Sequence, residues 1–113
     1  MYYEWSGDAV RWFYAASEYT GFHRALAQLC LSHLTRGGSM ADLGCGLGLI
    51  DLELAGQMSQ VTCIDQNPLP LRELEREARR RGIGNLEVRQ ADCPGAGPPA
   101  PAPARAGGAD RCR

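Results

Sequence analysis

Apolar residues gather in three short runs, and the intervals between them carry helical periodicity. Ser39–Leu43 and Gln60–Asp65 have the length of strands, and residues 85–90 alternate polar and apolar positions as a half-buried strand does. The second run is almost continuously apolar, the pattern of a strand covered on both faces. After the first run a helix is expected over residues 49–58, ended early by Gly56. Asp51 and Glu53 in its first turns would complement the positive end of the helix dipole. After the second run, Asn67 is a good N-cap and Pro68 a good first helical residue. The helix predicted over 68–81 turns Leu71, Leu74 and Ala78 inward. It pairs Glu75 with Arg79 and Glu77 with Arg81 at i, i+4, and Gly82 stops it. The run Arg79-Arg80-Arg81 reads as a solvated helix end at the negative pole of the dipole.

Two helices are expected before the first strand. Residues 20–35 place Phe22, Leu26, Leu29, Cys30 and His33 on one stripe, and Gly37-Gly38 ends them. Residues 1–19 are rich in aromatics (Tyr2, Tyr3, Trp5, Trp12, Phe13, Tyr14, Tyr19). Asp8 could cap a helix from Ala9 that carries Val10, Phe13 and Tyr14 on one face. This segment reads as a helix packed on the sheet edge, with a lid over a ligand as the alternative. The whole pattern predicts an α/β chain: a Rossmann-like three-layer sandwich with a mostly parallel sheet, incomplete at about three strands, plus N-terminal helices.

Composition changes the picture at one place. Residues 94–113 hold five of the seven prolines, four glycines and six alanines, with no large apolar residue. Such a tract cannot bury enough surface to offset its ordering entropy, so disorder is expected there. Loss of the reading frame would leave the same kind of tract. The expected organisation is therefore 1–19, 20–93 and a tail, 94–113.

The net charge of −1 leaves no clear nucleic-acid or membrane footprint, and all 12 basic side chains are Arg. No apolar run approaches the roughly 18–20 residues of a membrane span. Tyr2, Tyr3, Glu4 and Trp5 stand where a basic leader would be, so a cytoplasmic location is expected. Cys30, Cys45, Cys63, Cys93 and Cys112 contain no CxxC pair; they read as small hydrophobes in a reducing compartment, and no metal site is expected. His23 and His33 read as surface or boundary residues.

The chemistry concentrates where the first run ends. Asp42-Leu43-Gly44-Cys45-Gly46-Leu47-Gly48 joins a strand to a helix through a glycine turn, which lets backbone amides approach a ligand. Asp65, twenty-one residues past Gly44, ends the second strand and could accept both hydroxyls of a ribose. Together they indicate an adenosine-containing cofactor, with NAD and S-adenosylmethionine as candidates. The dinucleotide fingerprint wants glycine where Leu49 stands. Asp42 would repel a pyrophosphate at close range but favour a sulfonium or an ammonium. Asp92, at the end of the third run, could accept from an adenine amino group.

These residues closely resemble the first signature of class I S-adenosylmethionine-dependent methyltransferases, and the resemblance extends over roughly residues 20–93. It implies that Gly44, Cys45 and Gly46, with Gly48 completing the turn, lie against the methionine portion of S-adenosylmethionine, and that Asp42 reaches its amino group. It implies Asp65 on the ribose, Gln66 and Asn67 near the adenine, and Asp92 on the adenine edge beside Ala91 and Cys93. In such enzymes a fourth strand facing the methyl acceptor begins where the Pro/Ala/Gly tract stands. The chain thus reads as an N-terminal, cofactor-binding part, truncated before the acceptor half. The acceptor is unidentified and no catalytic residue carries over.

Overall fold

The computed structural model describes residues 5–92. In chain order these form α1 (Gly7–Thr20), α2 (Phe22–Leu31), β1 (Ser39–Leu43), α3 (Leu49–Leu54), β2 (Gln60–Asp65), α4 (Pro68–Arg80) and β3 (Leu86–Gln90). A single 3₁₀ turn, Ala55–Gln57, closes α3. The three strands are parallel, in the order β1-β2-β3. The expected incomplete, parallel α/β frame is the one observed.

Pleating decides which residues meet the helices. Met40, Val61 and Leu86 share one face with Cys63 and Val88. That face joins one apolar cluster with Ala27 and Leu31 of α2, Leu52 and Leu54 of α3, and Leu74 and Ala78 of α4. Val61, Cys63 and Leu74 are fully buried at its centre. The opposite face carries the exposed Ala41, Leu43, Glu87 and Arg89. Among the described residues the helices therefore form one layer, although Ile64 on that second face is also buried. The free edge of β1 is likewise unpaired among them. No helix of the described residues is long and apolar enough to cross a membrane.

Several local expectations need correcting. The N-cap of α1 is Ser6, whose hydroxyl accepts from the Ala9 amide at 3.1 Å. Asp8 lies inside the first turn and pairs with Arg11. Gly21, at φ +66°, both ends α1 and starts α2, so Thr20 belongs to the first helix and not to the second. α2 stops at Leu31 because the following amides tighten into i→i+3 bonds: His33 donates to Cys30 and Leu34 to Leu31. Its inward residues are Ala27 and Leu31, while Phe22 and Leu29 are exposed, so the anticipated stripe was one position out of phase.

α4 matches expectation closely, with Pro70, Leu71, Leu74 and Ala78 buried. The expected Glu77–Arg81 pair forms, with Arg80 joining it, while Glu73–Arg76 is seen among the described residues where Glu75–Arg79 was expected. Hydrogen bonding to Arg80, reinforced by Arg81, keeps the Glu77 carboxyl down at about 2. The Pro/Ala/Gly tract, Cys93 and residues 1–4 lie outside the described residues.

The tightest approach in the frame is at Gly48. It holds φ +62°, and a Cβ there would meet the Leu74 side chain at 2.6 Å. Gly44 has φ +80° but open space around it. Gly44→Ala is expected to cost only backbone strain, about 1–2 kcal/mol. Gly48→Ala adds overpacking of about 1–3 kcal/mol, so urea denaturation should rank it clearly below Gly44→Ala. A depressed Glu77 contributes stability above its unfolded value near 4.5 that is lost as pH falls toward about 2. Glu77→Gln should therefore be less stable than the parent at pH 7, with the gap in urea midpoint closing on acidification.

Candidate functional site

The first turn after β1 is built from three left-handed glycines, Gly44, Gly46 and Gly48, a conformation that other residues adopt only with strain. The reversal is anchored on β2. The Gly44 and Cys45 amides both donate to the Ile64 carbonyl, at 2.7 and 3.0 Å. One residue further along β2, the Asp65 carboxylate is clasped from two sides. Its Oδ2 accepts the Gly46 amide at 2.8 Å and its Oδ1 accepts the Asn67 amide at 2.9 Å. Asp65 thus ties the glycine turn to the turn that opens α4. A carboxylate has about four lone-pair positions, so two remain for a ligand.

Two cavities flank this turn. One, of about 170 Å³, is lined by Gly44, Asp65, Gln66 and Ala91. The other, of about 150 Å³, lies over Cys45, Gly46 and Gly48, with Asp42 in its wall. Its outer wall is aromatic. The Trp5 ring lies 3.5 Å from where a Gly46 Cβ would be, and Trp5 stacks on Phe13 with centroids 5.1 Å apart. α1 packs against α2 and contributes Phe13 to one side of this cavity. His23 lines the same cavity, held by Ser17 Oγ at 2.8 Å from Nδ1.

The structure thus brings together Asp42, Gly44, Cys45, Gly46, Gly48, Asp65 and Gln66. Asp92 is exposed and lines neither cavity; Ala91, buried beside it, does. The strand-end acids Asp42 and Asp65 converge on one rim, and Asp92 stands outside their cavities.

The residue that sequence reasoning misplaced is Asp51. As a first-turn acid it is expected to complement the helix dipole as a charged group. It is instead fully buried, and neither carboxyl oxygen has a donor partner when counted as ionised. Burial, with Asp42 beside it, pushes its pKa up to about 8. The signal was present: Leu47, Asp51, Leu54 and Met58 follow i, i+4, i+7, i+11, so Asp51 falls in the apolar stripe. The Cys63 thiol also faces it, pushed up by its hydrogen bond with Cys45 and by burial.

Chemically, the site offers backbone amides, the carboxyl groups of Asp42 and Asp65, and an aromatic wall. Among the described residues no Arg lines either cavity. It can therefore hold hydroxyls and a cationic group far more readily than a phosphate.

Comparison with known proteins agrees with this frame. Residues 40–104, more than half the chain, match the family described as a methyltransferase domain. The probable cobalt-precorrin-6B C(15)-methyltransferase (decarboxylating) of Methanothermobacter thermautotrophicus is 36% identical over 67 residues, covering 58% of this chain and 35% of that protein. The crystal structure of coclaurine N-methyltransferase, bound to N-methylheliamine and SAH, superposes with a TM-score of 0.57 at 32% identity, covering 62% of this chain and 22% of that one. The cyclase SpnF does so with a TM-score of 0.56 at 26% identity, covering 60% and 27%. The chain spans about a third of the length of the curated relatives it matches. On the strength of this match, the chain belongs to the methyltransferase domain family.

Proposed function

We propose that this chain is the cofactor-binding portion of an S-adenosylmethionine-dependent methyltransferase. The observation that carries the reading is the charge of the site. Asp42 stands in the wall of the cavity over the glycine turn, Asp65 in the wall of the other, and no Arg lines either. A pyrophosphate would meet like charge there with no cation to offset it, which disfavours the dinucleotide alternative. A sulfonium and an ammonium would be favoured. The bound cofactor supplies a methyl group on positively charged sulfur, open to in-line displacement by a nucleophile.

The residues divide the ligand between the two cavities. Gly44, Cys45 and Gly46 border the methionine portion, with Gly48 shaping the turn and Asp42 directed at the amino group. Asp65 accepts the ribose hydroxyls on its two remaining lone-pair positions. Gln66 borders the adenine together with Ala91, and Asp92 stands at its outer edge. Trp5 and Phe13 exclude water from the methionine side, which strengthens every charge interaction inside. The protein's contribution is to bind and orient, and positioning supplies much of the acceleration in such transfers.

The acceptor is a separate question. The relatives are named for a cobalt-precorrin and for coclaurine, two unlike acceptors, yet both share the part matched here. The shared part is the cofactor half, and acceptor choice belongs to the remainder of those proteins.

Calorimetric titration of the chain with S-adenosylhomocysteine and with NADH tests the reading. Heat is expected with the first only; heat with NADH alone reverses it. Asp65→Ala should weaken S-adenosylhomocysteine at least thirtyfold, from a loss of about 2 kcal/mol or more in charge-assisted hydrogen bonds. A ligand-free melt of the same variant separates that loss from loosening of the two turns that Asp65 ties.

A further inference from the structure

Asp51 is the one group that the proposed binding reading leaves unexplained. It lies in the first turn of α3, fully buried, at the wall of an apolar groove of about 400 Å³, and Asp42 lines both that groove and the cavity over the glycine turn. As a carboxylate it has two buried oxygens without a donor. Such a charge is too costly to bury unpaired. As a carboxylic acid it gains an O–H, and Asp42 is the neighbouring acceptor: it pairs in register with Cys63, whose sulfur lies within 4.8 Å of an Asp51 oxygen, and it lines the same groove as Asp51. Two carboxyls at such range cannot both ionise readily.

We propose that Asp51 and Asp42 form a proton-sharing carboxyl pair beneath the glycine turn, and that a cationic ligand on Asp42 displaces that proton to solvent. Asp51 is then a positioning residue: its O–H fixes the Asp42 carboxylate, whose free oxygen faces the cavity. The ligand-linked part rests on the S-adenosylmethionine reading; the pair itself does not. When an ammonium arrives, its charge takes the place of the proton's. One O–H bond breaks, the proton leaves to buffer, and the pair carries two negative charges against the ligand's positive one.

The surroundings are consistent with this exchange. Facing Asp51 are Asp42 on β1, Cys63 on β2 and Cys45 in the turn. His33 and Cys30 of α2 line the groove that Asp51 also borders. None of these is a permanent cation that would hold Asp51 ionised. A metal would be the rival occupant, since a carboxyl oxygen and the two thiol sulfurs lie within 4.8 Å of one another. It would require both thiols to ionise, and Cys63 is held firmly protonated by Cys45 and by burial.

The test uses the full chain in two arms. In the ligand-free arm, the ¹³C carboxyl resonance of Asp51 should titrate near pH 8 rather than near 4. Stability should fall as pH rises between those values, because the native state holds a proton that the unfolded chain has released. Asp51→Asn, which keeps a donor for Asp42, should remove that slope. A carboxyl titrating near 4, or an unchanged slope in the variant, overturns the pair. In the ligand arm, S-adenosylhomocysteine affinity should rise up to tenfold per pH unit between pH 6 and 8. Up to one proton should be released on binding, counted in buffers of different ionisation enthalpy. In Asp51→Asn the rise should vanish. Equal pH dependence in parent and variant overturns the displacement while leaving the pair standing. Absence of any binding overturns the displacement and the cofactor reading together, with the ligand-free arm still reading the pair. Stoichiometric Zn²⁺ in the purified chain, lost in both Asp51→Asn and Cys63→Ser, replaces the proton with a metal.

Discussion

Everything in this structure hangs on the backbone between Leu43 and Leu49. The chain must leave a half-exposed strand, reverse, and enter a helix that packs back on the same sheet, all within five residues. Left-handed glycines make the reversal possible. The last of them also lets Leu74 of α4 seat directly on the backbone, so the shape of the turn and the packing of the core are one constraint. Because the turn is anchored to the Ile64 carbonyl and the Asp65 carboxylate, its amides are fixed relative to β2. A site built this way is preorganised by hydrogen bonds that the fold needs in any case.

The same economy concentrates acid where the turn stands. Asp42, Asp51 and Asp65 come from three different elements; Asp42 and Asp65 line the cavities beside the turn, and Asp51 is buried in the core. Asp65 is satisfied by two amides. Asp51 has no such partner and retains a proton to an unusually high pH. Two aspartates of the same frame thus stand in opposite settings, one accepting two backbone amides and the other buried with none. The difference lies in available donors, not in residue type.

The sequence made the frame legible wherever period and punctuation agreed. β2 and α4 were readable because an apolar run ends at Asp65 and Asn67-Pro68 opens the next helix. The N-terminal helices were less legible. Gly21 interrupts what periodicity alone joins, and Ser6 competed with Asp8 as a cap. At the site, the turn and Asp65 stand out through spacing, whereas Asp51 does not. A charge in an apolar stripe reads as a surface residue until the packing places it inside. Trp5 and Phe13 reach the cavity only through the fold of α1, which no local pattern encodes.

The order β1-β2-β3 has a consequence for how such a chain is made. Each strand pairs with the one synthesised just before it, at separations of only about 20–25 residues. Short loops close at little entropic cost, so each strand–helix unit can dock as soon as it clears the ribosome. The growing sheet extends outward in the direction of translation, and the glycine turn is complete once β2 has joined β1. In a nascent chain of this design the glycine turn would therefore be held in place as soon as β2 has cleared the ribosome and joined β1.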